Sequence, residues 1–217
     1  MPANSTPRTV AVLGGGNIGR PIGRHWAAAG HSVTFGSRDP GRLRLALATD
    51  GIPATTATYP DAARAADIVL LAVPYPAYED LLTATRDALV GSIVVDATNP
   101  MGLSPDGRIV STLGTGLSQG RRTAKLLPES RIVRAFSHVM DELLWSRGTQ
   151  QRHFWGMAVA GDDDDAKTAV AGLVSDAGFT PVDLGGLDDS LPLDPGGVLF
   201  PHMFTPADLR ATAGLDN

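Results

Sequence analysis

At 217 residues with 43% hydrophobic content, the chain carries enough apolar surface to bury a core as one domain, which excludes global disorder. Its net charge of −5, with Lys and Arg scattered, argues against a nucleic-acid-binding surface, because such surfaces cluster cations against phosphates. Cysteine is absent, so disulfides and thiolate metal sites are excluded, and a reducing, cytoplasmic setting is expected.

Residues 1–7 are polar and carry Pro2 and Pro7 without the apolar core of a signal peptide, and they read as a flexible tail. No stretch approaches the roughly 18 apolar residues of a membrane span. From there, short Val/Ile/Leu-rich runs predict buried strands at Thr9–Leu13, His31–Phe35, Asp67–Val73, Ser92–Asp96, Arg131–Phe136, Gly156–Ala160 and Phe179–Leu184. Segments of helical character lie between several of them: Ile18–Ala29, Gly41–Thr49, Ala77–Leu89, Ser118–Leu127 and Asp165–Ala177. Continuous apolar strands alternating with helices predict an α/β, Rossmann-type, doubly wound and mostly parallel sheet of about eight strands. Residues 8–185 form this domain, and the Gly-, Pro- and Asp-rich segment 186–217 reads as a short irregular appendage that closes a substrate site or makes a dimer contact.

The first strand runs directly into Gly14, Gly16 and Gly19, a G-x-G-x-x-G pattern at the start of a helix. In that context the first glycine allows a tight turn, the second a close approach of a pyrophosphate, and the third close packing of helix on strand. The amides of Asn17 and Ile18 stand at the positive end of the helix, where an anion is favoured. The second strand ends in Gly36-Ser37-Arg38 instead of the acidic residue that binds the ribose hydroxyls of NAD. A hydroxyl and a guanidinium donate to a 2′-phosphate that a carboxylate would repel, so the expected cofactor is NADP(H), with Arg42 a second cation or simply a solvated helix residue. Asp39, before Pro40, reads as a helix cap.

Two later strand ends face the same crevice. Val73 and Pro74 are expected to pack on the cofactor's apolar surface, and Ala97, Thr98 and Asn99 to line and orient its nicotinamide end. The purely structural reading is that Pro74 and Pro100 only end strands.

The ordered segments GGGNIG, GHSVTFGSRDP, IVLLAVPYPA, VVDATNP, RIVRAFSHV and VAGDDDDA resemble the NADP oxidoreductases that use the deazaflavin coenzyme F-420, over about residues 8–185. The resemblance implies hydride transfer between NADP(H) and a deazaflavin or flavin-like acceptor in a protein that is commonly dimeric. It places the glycine turn at Gly14, Gly16, Asn17, Ile18 and Gly19, the 2′-phosphate clamp at Ser37, Arg38 and Arg42, and the catalytic candidates Ser137 and His138 near the acceptor. The family's Gly-Pro-Leu segment and Arg-containing helix after the last strand are replaced here by GGLDDSLPLDPGGVLFPHMFTPADL, so a small carbonyl, an imine or a flavin stands beside the deazaflavin as acceptor.

His138 suits a proton donor at neutral pH, or else only hydrogen-bonds its loop. Ser137, Asp141, Glu142 and His202 are weaker candidates for the same work. Asp162–Asp165 reads as a solvated helix start instead of a metal site, and no metal is expected. Trp145, Phe154 and Trp155 read as core or interface packing. Two other functions remain open at this level: an imine or carbonyl reductase resembling pyrroline carboxylate reductases, whose added helical dimerisation domain has no room here, and a non-catalytic NADP(H) sensor.

Overall fold

The computed structural model describes residues 6–150 and 152–216, so most of the tail expected at 1–7 lies outside the described residues. In chain order the elements are β1 (Thr9–Leu13), α1 (Gly19–Ala28), β2 (Ser32–Gly36), α2 (Pro40–Thr49), β3 (Thr55–Ala57), α3 (Tyr59–Arg64), β4 (Ile68–Leu71), α4 (Tyr78–Thr85) and β5 (Ile93–Asp96). They continue with β6 (Met101–Leu103), β7 (Ile109–Ser111), α5 (Gln119–Leu126), β8 (Arg131–Arg134), α6 (Asp141–Gln150), β9 (Gly156–Gly161), α7 (Asp164–Asp176), β10 (Thr180–Gly185) and α8 (Pro206–Thr212).

Eight strands form one sheet in the order β10-β9-β8-β5-β4-β1-β2-β3. All pairs are parallel except β8 with β9, which run antiparallel. β1 sits between β2 and β4, so the chain moves outward from it first to one side and then to the other, and the crevice beyond its carboxyl end is the place for a ligand in an open α/β sheet. β6 and β7 form a separate antiparallel hairpin.

The strands are apolar on both faces because both faces are covered. Val10, Val12, Ile68, Leu70 and Val95 point to a core shared with α1, α2 and α7, whereas Ala11, Leu13, Val69, Leu71 and Val94 point to one shared with α3 and α4. A third cluster joins Ala158, Ala160, Val182 and Leu184 of the last two strands to Leu193, Leu199 and Leu209 of segment 186–217. That segment holds a 3-10 helix at Leu187–Leu193 and α8, and otherwise lacks regular structure.

Two polar contacts tie α7 to the first half of the chain. The buried Trp26 indole N–H donates to the Leu173 carbonyl at 2.9 Å. His31 accepts the Arg8 amide at Nδ1, which leaves its Nε2 to donate to the Asp176 carboxylate at 3.0 Å. Asp39 caps α2 by accepting the Arg42 amide at 2.9 Å, with Pro40 in the first turn. Asp163 caps α7 by accepting the Ala166 amide, and no metal-ligand cluster occurs among the described residues. Trp26→Phe removes one hydrogen bond and leaves a cavity in place of the second ring, so urea unfolding should show a loss of about 2–3 kcal/mol with an unchanged slope.

Candidate active-site cleft

The three glycines of the first turn meet three different surroundings. Gly14 has φ of +122°, and a Cβ there would stand 2.3 Å from the Ala72 carbonyl oxygen. A Cβ on Gly19 would strike the Gly14 carbonyl at 2.0 Å, so helix and strand pack here without room for a side chain. Gly16 has nothing within 4 Å on that side, and its backbone is open to the space in front of α1. The leading amides of the helix, Asn17 and Ile18 among them, have no intrahelical acceptor and face that space.

A cleft of about 410 Å³ opens there, lined by Gly16, Asn17, Ile18 and by residues from the ends of β4 and β5, including Val73, Pro74, Ala97, Thr98 and Asn99. Further along the crevice, at the end of β2, Ser37 accepts the Asp39 amide at its hydroxyl, and the exposed guanidinia of Arg38 and Arg42 have no ion-pair partner among the described residues. Tyr59, which the sequence did not single out, lies beside Arg38 and against Gly36. Burial raises its phenol above the usual range, and Arg38 opposes that shift.

Behind the cleft lies a polar network within the fold. Arg134, the last residue of β8, is fully buried. One of its terminal nitrogens donates to the carbonyls of Asp96 (2.9 Å) and Thr98 (2.8 Å), and the other to Asp194 Oδ1 (2.8 Å) and Asn99 Oδ1 (3.3 Å). Asp96, buried at the end of β5, accepts at one oxygen from the Thr98 amide and hydroxyl and at the other from Gln119 Nε2 and the Thr123 hydroxyl. The second oxygen of Asp194 accepts the Gln119 amide at 2.7 Å. Burial raises the Asp194 carboxyl above the ordinary range, with Arg134 opposing. Tyr75, at the lip of the cleft, donates to Gln119 Oε1 at 3.1 Å and stacks on Tyr78 with ring centroids 5.4 Å apart.

The side chains of Thr98 and Asn99 are therefore engaged inward. The Thr98 hydroxyl goes to Asp96, and the Asn99 amide bridges Arg134 and the Ser137 carbonyl, the latter at 2.7 Å. What the two residues offer the cleft is shape and position in place of the free side-chain hydrogen bonds expected of them.

The loop after β8 departs further from expectation. Phe136 adopts φ of +60°, a left-handed conformation uncommon for a bulky residue, and sets its ring edge against Trp26. Ser137 is buried, and its hydroxyl has no hydrogen-bond partner among the described residues. His138 is completely buried: its Nε2 accepts the Ala158 amide at 3.1 Å, so Nδ1 carries the proton and donates to the His202 carbonyl at 3.1 Å. The His202 amide returns a bond to the His138 carbonyl at 3.0 Å. Burial pushes the His138 imidazole down to about 4. Both ring nitrogens thus bond within the fold, in keeping with the second of the two readings of His138, and form a clasp between the β8 loop and segment 186–217. The His202 ring is exposed and lies edge-on to Phe204. Asp141 and Glu142 open α6, Trp145 packs partly buried against the main core, and Phe154 is half exposed with its ring edge-on to Trp155.

A glycine-rich turn at the switch point of a doubly wound sheet, with unpaired cations at the end of β2, defines the class of NADP-dependent oxidoreductases. Residues 9–100 match the family described as NADP oxidoreductase, coenzyme F420-dependent. An F420-dependent NADP reductase of Methanothermobacter thermautotrophicus is 31% identical over 194 residues, covering 83% of this chain and 82% of that protein. Among solved structures, a hypothetical protein of Sinorhizobium meliloti is 30% identical with a TM-score of 0.80, covering 91% of this chain and 95% of its own. A structure from Arthrobacter sp. FB24, provisionally assigned as an F420-dependent NADP reductase, is 28% identical with a TM-score of 0.71 over 84% of this chain and 87% of that one. The chain belongs to the F420-dependent NADP oxidoreductase family.

Replacing Arg134 with Met strands two buried carboxylates and should lower stability by about 3–5 kcal/mol in chemical denaturation, part of which a second change, Asp194→Asn, should restore. His138 stays neutral in the folded protein down to about pH 4, whereas the unfolded chain protonates it below its ordinary value of 6.5. Between those values the unfolded state binds the extra proton, so stability falls as pH falls, by up to about 1.4 kcal/mol per pH unit. Urea titrations from pH 7 to 4.5 should show this slope and its flattening in His138→Gln; an unchanged slope in the variant would refute the assignment.

Proposed function

We propose that the cleft binds NADP(H) and that the enzyme passes a hydride between its nicotinamide and a deazaflavin, a flavin-like ring or another small acceptor. One juxtaposition carries this reading: the open backbone at Gly16, at the head of α1, follows a turn whose Gly14 amide donates to the Gly36 carbonyl at 3.1 Å, and just beyond Gly36 stand Arg38 and Arg42, with no ion-pair partner among the described residues. Gly14, Gly16, Asn17, Ile18 and Gly19 would hold the pyrophosphate through backbone amides and the helix dipole. Ser37, Arg38 and Arg42 would hold the 2′-phosphate, for which guanidinium forks are suited. When bound, NADP(H) supplies the hydride. Val73, Pro74 and Ala97 would give its nicotinamide end an apolar wall, with Thr98 and Asn99 forming the floor that Arg134 and Asp96 hold in place.

In this reading residues 8–185 are the dinucleotide-binding domain, and 186–217 close the acceptor side in a cytoplasmic homodimer. Ser137 lies near the acceptor as a positioning residue. The engagement of both His138 nitrogens favours acceptors that take their proton from solvent, and so speaks against the reduction of a carbonyl by a histidine acid. A binding titration tests the cofactor: NADPH should bind at least about tenfold more tightly than NADH, and Arg38→Ala should erase that preference while leaving NADH affinity nearly unchanged. Equal affinity for the two dinucleotides in the unaltered protein would overturn the assignment.

A further inference from the structure

A second cavity, of about 510 Å³, lies between the loop after β7 and the segment after the 3-10 helix, lined by Leu113, Leu117, Leu191, Pro192, Asp194 and Val198 among others. The β6–β7 hairpin connects it to the cofactor cleft. Met101 and Ser111 are direct partners across the hairpin, as are Leu103 and Ile109, and direct partners two residues apart share one face. Met101 lines the cleft and Ser111 lines the cavity, so that one face looks onto both. The Met101, Leu103 and Ile109 side chains on it are 57%, 74% and 43% exposed. Exposed apolar side chains of the hairpin thus stand between the cleft, at Met101, and the cavity, at Ser111.

The charge along this path is the informative quantity. No Lys or Arg lines either cavity. Arg134 is matched by Asp96 and Asp194, Arg121 by Asp162 and Asp188, Arg122 by Glu79, and Arg108 by Asp106, while Arg38 and Arg42 stand at the end of β2, where the cofactor's 2′-phosphate would engage them. The ionisable group in the second cavity is Asp194, a carboxylate whose oxygens already take bonds from Arg134 and the Gln119 amide. An anionic tail placed here would find no counter-ion among the lining residues and would stand near the Asp194 carboxylate.

Resting on the cofactor reading above, we infer that the hydride acceptor is an uncharged, largely apolar small molecule seated against the hairpin face and in this cavity, not a ring with a phosphate- or carboxylate-bearing tail. The acceptor gains the hydride and one proton from water, two electrons in all, and NADPH is left as NADP+; no net charge is stored in the cavity.

Riboflavin and FMN isolate the variable, because they share one ring system and differ by a phosphate. NADPH binding is titrated first, and its failure would refute the cofactor reading, and this inference with it. The full-length protein saturated with NADP+ is then titrated with each flavin at low salt, following flavin fluorescence. Riboflavin should bind at least about tenfold more tightly than FMN, the cost of an unpaired anion in an apolar site. Leu117→Arg, at a partly exposed position on the rim, should narrow or reverse that gap by supplying a counter-ion. Equal or tighter binding of FMN by the unaltered protein, or no binding of riboflavin while NADP(H) still binds, would overturn the inference.

Discussion

A single buried guanidinium sets the geometry on which the ligand end of this fold depends. Arg134 is placed at the buried end of β8, after the apolar Ile132 and Val133, where its charge has to be matched within the protein. Its partners come from two separate stretches of chain: the end of β5 with the turn that follows it, and the segment beyond β10. Satisfying one cation therefore fixes the backbone of 96–99 and docks the C-terminal segment in the same act. The two carboxylates that answer it are themselves saturated by Gln119, Thr98 and Thr123, which is what makes so much buried polarity tolerable.

The same principle explains why the β8 loop does not behave as a catalytic loop with a free histidine. His138 sits where β9 turns back antiparallel to β8, and the amide of Ala158 would otherwise face the buried imidazole unpaired. Its other nitrogen answers a carbonyl of the C-terminal segment. Loop and segment are thus joined twice, once through charge at Asp194 and once through neutral hydrogen bonds at His138. The site they enclose draws its character from backbone amides and apolar walls more than from titrating side chains.

Local signals in the sequence carried the sheet and the glycine turn well. Seven strands and five helices follow apolar runs and caps, and of the three glycines Gly14 and Gly19 are tightly packed while Gly16 is open. The shortest elements were not legible: β3 is three exposed or partly exposed residues at the sheet edge, α3 is only six residues behind its Thr58 cap, and no residue of the β6–β7 strands is buried. The Arg134 network was equally hidden, because its members lie far apart in the chain and each alone looks ordinary. Arg134 interrupting RIVRAF was the one available hint, since a cation in a strand covered on both faces needs a partner. For His138 the sequence supplied residue type and neighbourhood but not the direction of its nitrogens, and direction decides whether an imidazole works for the fold or for chemistry.

The paired anchorage of the C-terminal segment has a consequence for how such enzymes diversify. Between the carboxylate at 194 and the backbone clasp at 202 the chain forms a short arch whose feet are pinned, so its crown can change without disturbing the dinucleotide cradle. On the reading proposed above, rewriting this arch would alter what the enzyme reduces and leave the seat of its reductant intact.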